Sequence, residues 1–239
     1  MIKINKLKTQ IFLDGANFSD IQKFKEKKYI TGFTTNPSLM KEAGVKNYKN
    51  FCLKILNTIK KKDVSFEIFA DDLKNIEFQA REIASWGNNI YVKIPVINTQ
   101  NKCNSGLIGK LNNDGIKINV TAVFTLDQTK RILKKIDIKT PCIISIFAGR
   151  IADTGVDPLV EIKKHIMISK KYPNVKILWA SVREPFNIMQ ANQINCHIIT
   201  VPPSILKKLK VLNKNLEKYS IETVKMFYED AKQAGYKIE

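Results

Sequence analysis

The chain has 239 residues, 44% of them hydrophobic, enough to bury one large core as a single domain spanning residues 1–239. Its formal net charge is +18, yet the lysines are spread along almost every helical stretch, as in Lys25-Glu26-Lys27-Lys28 and Lys163-Lys164, which predicts a solvated basic surface and no nucleic-acid partner. No apolar run reaches the roughly 18–20 residues of a membrane helix, no apolar stretch follows the basic N-terminus as in a secretory signal, and Cys52, Cys103, Cys142 and Cys196 lack CxxC spacing, which fits reduced thiols in a cytoplasmic protein better than disulfides or zinc.

Short β-branched runs alternate with amphipathic stretches from end to end. Strands are predicted at QIFLD from Gln10, TGFTT from Thr31, VSFEIFA from Val64, IYVKIPV from Ile90, IKINVTAVF from Ile116, PCIISIFAG from Pro141, VKILWAS from Val175 and CHIITVP from Cys196. Between them NYKNFCLKILNTIKK, NIEFQAREIASWG, TLDQTKRILKKI, DPLVEIKKHIMISKK and EPFNIMQANQ repeat apolar residues at i, i+3, i+4 and i+7, the pattern of one buried helix face. Eight strand-then-helix units without a GxGxxG after the first strand predict an α/β fold, a (β/α)8 TIM barrel and not an open dinucleotide-binding sheet. SILKKLK and a last helix, SIETVKMFYEDAKQAG, are additional to the minimal barrel.

In such a barrel the reactive groups lie at the C-terminal ends of the strands, so polar residues late in an apolar run are the candidates. Asp14 ends the first run, Thr34, Thr35 and Asn36 the second; Glu67 lies in the third, Lys93 in the fourth, Asn119 and Thr121 in the fifth; Ser145 and Arg150 close the sixth, Ser181 and Arg183 the seventh. Lys93 stands out because its strand is otherwise apolar on both faces. A lysine snorkelling from a strand edge is the plain alternative, but a central parallel strand has no edge. Burial there disfavours an ammonium and leaves an amine able to attack a carbonyl, with Asp14 and Glu67 near enough to move protons.

Arginine is scarce, four residues against thirty-six lysines. Arg150 and Arg183 each come near a helix start, at Asp157-Pro158 and Glu184-Pro185, where a guanidinium fork suits phosphate; ion pairs with Asp153 or Glu184 are the alternative. The only histidines, His165 and His197, form neither HxH nor HExxH, which argues against zinc-dependent and Ser-His-Asp chemistry.

Taken in order, Phe12-Leu13-Asp14, Thr34-Thr35-Asn36-Pro37-Ser38-Leu39, Val64-Ser65-Phe66-Glu67, Val92-Lys93-Ile94-Pro95, Asn119-Val120-Thr121, Ser145-Ile146-Phe147-Ala148-Gly149-Arg150-Ile151 and Ala180-Ser181-Val182-Arg183 resemble the motifs of the transaldolase and fructose-6-phosphate aldolase family. The resemblance runs from about Gln10 to Gly235, and the short chain resembles the aldolase-like branch. It implies a Schiff base on Lys93 and proton transfer by Asp14. It further implies a water held by Glu67 and Thr121, substrate contacts from Asn36, Asn119, Ser145 and Phe147, and a phosphate held by Arg150, Ser181 and Arg183. Sugar phosphates are the implied partners, a homo-oligomer the implied assembly, and no metal or organic cofactor is called for. Gly15 stands where the family usually has threonine or serine, and Ile146 where many members have proline; both bear on the substrate more than on the Schiff base. In this family tyrosine at the Phe147 position and glutamine at the Glu67 position accompany aldolase behaviour. The residues present therefore point to transfer of a dihydroxyacetone unit, with an aldolase that releases free dihydroxyacetone, or a related transfer on an unusual sugar, as the alternative.

Overall fold

The computed structural model of the chain describes residues 3–238. Eight parallel strands close on themselves in chain order: β1 (Gln10–Asp14), β2 (Ile30–Thr34), β3 (Asp63–Glu67), β4 (Ile90–Pro95), β5 (Ile118–Val123), β6 (Cys142–Ile146), β7 (Val175–Trp179) and β8 (Ile198–Val201), with β8 hydrogen-bonded back to β1. Helices α1 (Phe18–Lys25), α2 (Pro37–Glu42), α3 (Tyr48–Thr58), α4 (Leu73–Ser85) and α5 (Ser105–Asn113) connect the first five strands. The second half carries α6 (Leu126–Leu133), α7 (Ala148–Asp153), α8 (Pro158–Ser169), α9 (Phe186–Gln193), α10 (Pro203–Lys208) and the terminal α11 (Leu216–Gln233). This is the expected (β/α)8 barrel with an added C-terminal helix.

Local chemistry starts most of these helices. Asn17, Asn47, Asp72, Asp157 and Asn215 each accept a backbone N–H in the first turn of the following helix, satisfying donors that the helix itself cannot. Thr125 and Gln128 cap α6 reciprocally. Pro158 follows Asp157 as the first residue of α8, where its missing N–H costs nothing.

The pleat divides the strand side chains into two cores. Those pointing outward meet the helices in a large aliphatic layer that includes Ile11, Leu13, Val64, Val92, Ile94, Val120, Ile144 and Ile177. A separate cluster of Phe12, Tyr91, Ile143, Leu178, Ala180 and Ile198 fills the barrel itself. Gly32 makes room for it: a β-carbon there would lie 2.5 Å from the Phe12 ring. Burying each large apolar side chain contributes about 1.5–3 kcal/mol, so the plug at one level of the barrel supports a polar layer at the next. Two residues along from Phe12, Tyr91, Ile143 and Ile198 stand Asp14, Lys93, Ser145 and Thr200, on the same face of their strands.

The predicted strands differ from the observed ones mainly at their ends. VSFEIFA and PCIISIFAG run past the true ends at Glu67 and Ile146, and Ala148 and Gly149 open α7 instead. The reason is burial: Ile68, Ala148 and Gly149 are covered although they lie beyond the ladder, so apolar composition outlasts strand geometry. Helix α11 has no buried residue and leaves Leu216, Ile221, Val224, Phe227 and Tyr228 exposed. Among the described residues all four cysteines are free, and no helix is long and apolar enough to cross a membrane.

Candidate active site

Strand register sets the polar layer. Asp14 pairs with Thr34 across β1 and β2, Glu67 with Lys93 across β3 and β4, Lys93 with Asn119 and Pro95 with Thr121 across β4 and β5. These side chains open into a cavity of about 180 Å³ at the C-terminal mouth of the barrel. Its wall includes Asp14, Asn36, Lys93, Asn119, Thr121, Ser145, Phe147, Arg150 and Ser181.

Lys93 is 6% exposed, which removes the snorkelling alternative. Its Nζ lies 2.9 Å from Glu67 Oε2 and donates to the Thr35 carbonyl oxygen at 2.9 Å. Glu67 does not line the cavity; it stands behind the lysine, and the Tyr48 hydroxyl fixes its backbone by donating to the Glu67 carbonyl oxygen at 2.5 Å. The end of β4 is fixed in the same way by Asn104, whose side-chain amide donates to the Pro95 carbonyl oxygen. Beyond Lys93, Ser145 donates to Asn119 Oδ1 at 2.6 Å and the Asn119 amide donates to Ser65 at 3.1 Å, so the Asn119 amide orientation is set by its neighbours. Thr121 Oγ1 and Thr35 Oγ1 are buried with no protein partner among the described residues. Thr121 also precedes Ala122, whose φ of +55° marks a break in the β5–β6 register, a locally strained backbone of the kind that gathers at functional sites.

Asp14 faces the same cavity and accepts a hydrogen bond from Thr34 Oγ1 at 2.7 Å. Burial pushes its carboxyl above the usual carboxylate range; Lys93 and the Thr34 hydrogen bond pull the other way, and Glu67 adds to the rise. A carboxyl so placed is easier to protonate than a solvated one, which suits a group that must accept a proton and give it back. Asn36 does two things at once: its Oδ1 caps α2 by accepting from Leu39 N at 2.9 Å, while the residue also lines the cavity.

At the far wall, Arg150 lies in α7, with its guanidinium 5.8 Å over the Phe147 ring, and no carboxylate among the described residues lies within ion-pair distance. Gly149 lets this helix approach β7: a β-carbon would fall 1.8 Å from the Ser181 carbonyl oxygen. Ser181 itself takes φ +62°. Phe147 packs against Phe124 with ring centroids 5.7 Å apart, so this side of the cavity is apolar below and cationic above.

Residues 11–239 match the family profile described as Transaldolase/Fructose-6-phosphate aldolase. The chain belongs to that family. It is 36% identical over 227 residues to a probable transaldolase of Nitrosopumilus maritimus (93% of this chain, 96% of that one) and 34% identical over 201 residues to one of Dehalococcoides mccartyi (84% and 89%). A probable transaldolase of Thermoanaerobacter sp. is 33% identical over 232 residues, 96% of this chain and all of that one. Among solved structures, the KGPDC of Streptococcus mutans and a putative fructose-1,6-biphosphate aldolase of Coccidioides immitis superpose with TM-scores of 0.53 and 0.55. At 12% and 10% identity, over 82% and 89% of this chain and 88% and 83% of those, they share the barrel fold. A transaldolase-type aldolase activity follows from membership.

Of the candidate residues in this transaldolase/aldolase barrel, Glu67 and Thr35 lie behind the cavity wall in contact with Lys93 Nζ, and Arg183 stands apart from the site. Its guanidinium pairs with Asp153 at the surface and it does not line the cavity. Nor does Arg150 sit at the start of α8 near Asp157; it belongs to the short helix before it. Thr34, a strand-end candidate given no specific role, lines the cavity, and so do Leu39, Leu178, Ala180 and Thr200, which the sequence had not singled out. Thr200 is the polar residue of the eighth strand. It gives little signal because threonine is a good strand former and sits unremarked in Ile-Ile-Thr-Val.

Proposed function

We propose that the chain is a transaldolase that moves a dihydroxyacetone unit from a ketose phosphate, such as fructose 6-phosphate or sedoheptulose 7-phosphate, to an aldose phosphate through a Schiff base on Lys93. The observation that carries the proposal is the buried Lys93–Glu67 contact at 2.9 Å behind the wall of a cavity that Lys93 and Asp14 both line. Glu67 is placed to take a proton from Lys93, freeing the amine to attack the C2 ketone. Loss of water from the carbinolamine gives the iminium, with Thr121 Oγ1 available to hold that water. Asp14 then takes the C4 hydroxyl proton while the C3–C4 bond breaks. The electron pair flows into the iminium, leaving an enamine on Lys93 and a free aldehyde. Asn36, Asn119 and Ser145 are placed for the substrate hydroxyls. Arg150 and Ser181 hold the distal phosphate, whose binding energy positions the reacting carbons. Only the family pattern links Arg183 to that phosphate, and its pairing with Asp153 outside the cavity leaves it without a role in this proposal.

The apolar Phe147 ring supports transfer over release, since it offers the enamine no hydroxyl from which to take a proton. Comparing free dihydroxyacetone production from fructose 6-phosphate with transfer to erythrose 4-phosphate, in one preparation, tests this. Native enzyme should transfer faster than it releases, and Phe147→Tyr should move the ratio toward release. Faster release by the native enzyme would make it an aldolase.

A further inference from the structure

Asp14 is held by a chain of two hydroxyls that the reaction steps above do not use. Thr34 and Thr200 come from β2 and β8, the two strands that flank β1. They meet inside the barrel, with a short hydrogen bond between Thr34 Oγ1 and Thr200 Oγ1, and both are at least 95% buried. Thr34 Oγ1 in turn donates to Asp14 Oδ1 at 2.7 Å. Each hydroxyl has one proton to give and can accept two. With the Thr34 proton committed to the carboxylate, the proton in the Thr34–Thr200 contact belongs to Thr200. The chain then runs from Thr200 to Thr34 to Asp14.

When Asp14 carries a proton, the same atoms are satisfied in the opposite sense. The carboxylic acid donates to Thr34, and Thr34 donates to Thr200. Hydroxyls allow this reversal, whereas a lysine in place of Thr34 could only donate and would pin Asp14 as a carboxylate. An aliphatic side chain there would leave a buried carboxylate oxygen unpaired, which is costly. Thr200 also lines the cavity, so the far end of the chain opens onto substrate.

We propose that Thr34 and Thr200 form a reversible hydroxyl relay that keeps Asp14 hydrogen-bonded in both protonation states, and so are positioning residues for its proton transfer. This rests on the reading of Asp14 as the group that exchanges a proton with the C4 hydroxyl. During cleavage the C4 hydroxyl proton passes to Asp14, the C3–C4 electron pair passes into the iminium, and the relay turns over. In the reverse addition the proton returns and the relay resets. No oxidant, reductant or further reactant enters.

The test compares Thr200→Val, Thr200→Ser and Thr34→Val with the native enzyme, measuring kcat, KM and the pH profile of kcat, with borohydride trapping of the fructose 6-phosphate adduct alongside. Thr200→Val is expected to retain the trapped adduct and a KM within about twofold, while kcat falls roughly ten- to a hundredfold, part of the about 10²–10⁴ that a positioned acid–base group supplies. Its acid limb should move to lower pH, because the carboxylate keeps its bond from Thr34 while the protonated acid loses the acceptor that the Thr34 hydroxyl then needs. Thr200→Ser should restore kcat to within about threefold, since it keeps the same donor and acceptors. Thr34→Val should move the limb the opposite way, to higher pH, because the carboxylate itself then loses its donor. Should Thr200→Val fail to fold, Thr200→Ala carries the same expectation. A Thr200→Val enzyme with native kcat and an unmoved limb would overturn the relay, as would a loss that serine does not rescue. Failure to trap an adduct in the native enzyme would instead overturn the Schiff-base reading beneath it.

Discussion

Replacing Gly149 by alanine adds one carbon where two backbones already touch. The new β-carbon would lie 1.8 Å from the Ser181 carbonyl oxygen and 2.9 Å from both the Ser181 carbonyl carbon and Oγ. Ordinary contact begins near about 3.5 Å, so α7 and the end of β7 must part by roughly 1.7 Å. Ser181 has no slack to give, because φ +62° already places it in a region costly for a side chain. Overpacking of this kind costs about 1–3 kcal/mol, and in a chain of this length each kcal/mol moves Tm by about 2–4 °C. The same displacement separates Arg150 from Ser181. Since a misplacement of about 1 Å can cost roughly a hundredfold in rate, kcat/KM for erythrose 4-phosphate should fall by that order or more. Thermal unfolding and steady-state transfer to erythrose 4-phosphate and to erythrose measure both effects. An alanine variant with native Tm and native kcat/KM for the phosphorylated acceptor would refute the assignment of this wall to phosphate.

Arg150→Ala should weaken erythrose 4-phosphate far more than erythrose, by about 1.5–3 kcal/mol if one charge-assisted contact is lost; Arg183→Ala should touch both acceptors alike, because that guanidinium is paired with Asp153 outside the cavity. An equal loss for both acceptors in Arg150→Ala would make it structural. His165, buried between α6 and α8 with Nδ1 against Thr129 Oγ1 and Nε2 without a protein partner among the described residues, has its pKa lowered from 6.5 to about 4, chiefly by burial. Its folded form therefore binds protons less readily than the unfolded chain, and stability should drain away by up to about 3 kcal/mol as pH falls from 6.5 toward 4. Thermal melts of native and His165→Leu protein across that window should show the slope reduced in the variant; identical slopes would refute the assignment. The uncovered face of α11 should be buried against a second copy of the chain, so light scattering should find an oligomer that truncation before Leu216 reduces in size, whereas a monomeric full chain would contradict this.

The barrel was legible because parallel strands covered on both faces must be apolar and β-branched throughout, and the interruptions at Lys93, Asn119 and Ser145 therefore stood out against their runs. What the sequence did not show follows from the same physics. Helices α2 and α7 have six residues each, too few for a periodic face to appear, and α5 is diluted by Gly106 and Gly109. The Arg183–Asp153 pair joins residues thirty positions apart through the fold, so proximity to a helix start in sequence could not decide where that side chain points. Thr200 is polar in role and strand-forming in propensity, and only the closure of β8 onto β1 brings it to Thr34.

The Schiff base on Lys93 is tested most directly by borohydride reduction of the enzyme with fructose 6-phosphate, followed by peptide mapping. The modification should fall on Lys93 alone, buried at 6% exposure against Glu67, and Lys93→Arg, folded but unable to form an imine, should show neither adduct nor turnover. An adduct on another lysine, or native rates in Lys93→Arg, would contradict it.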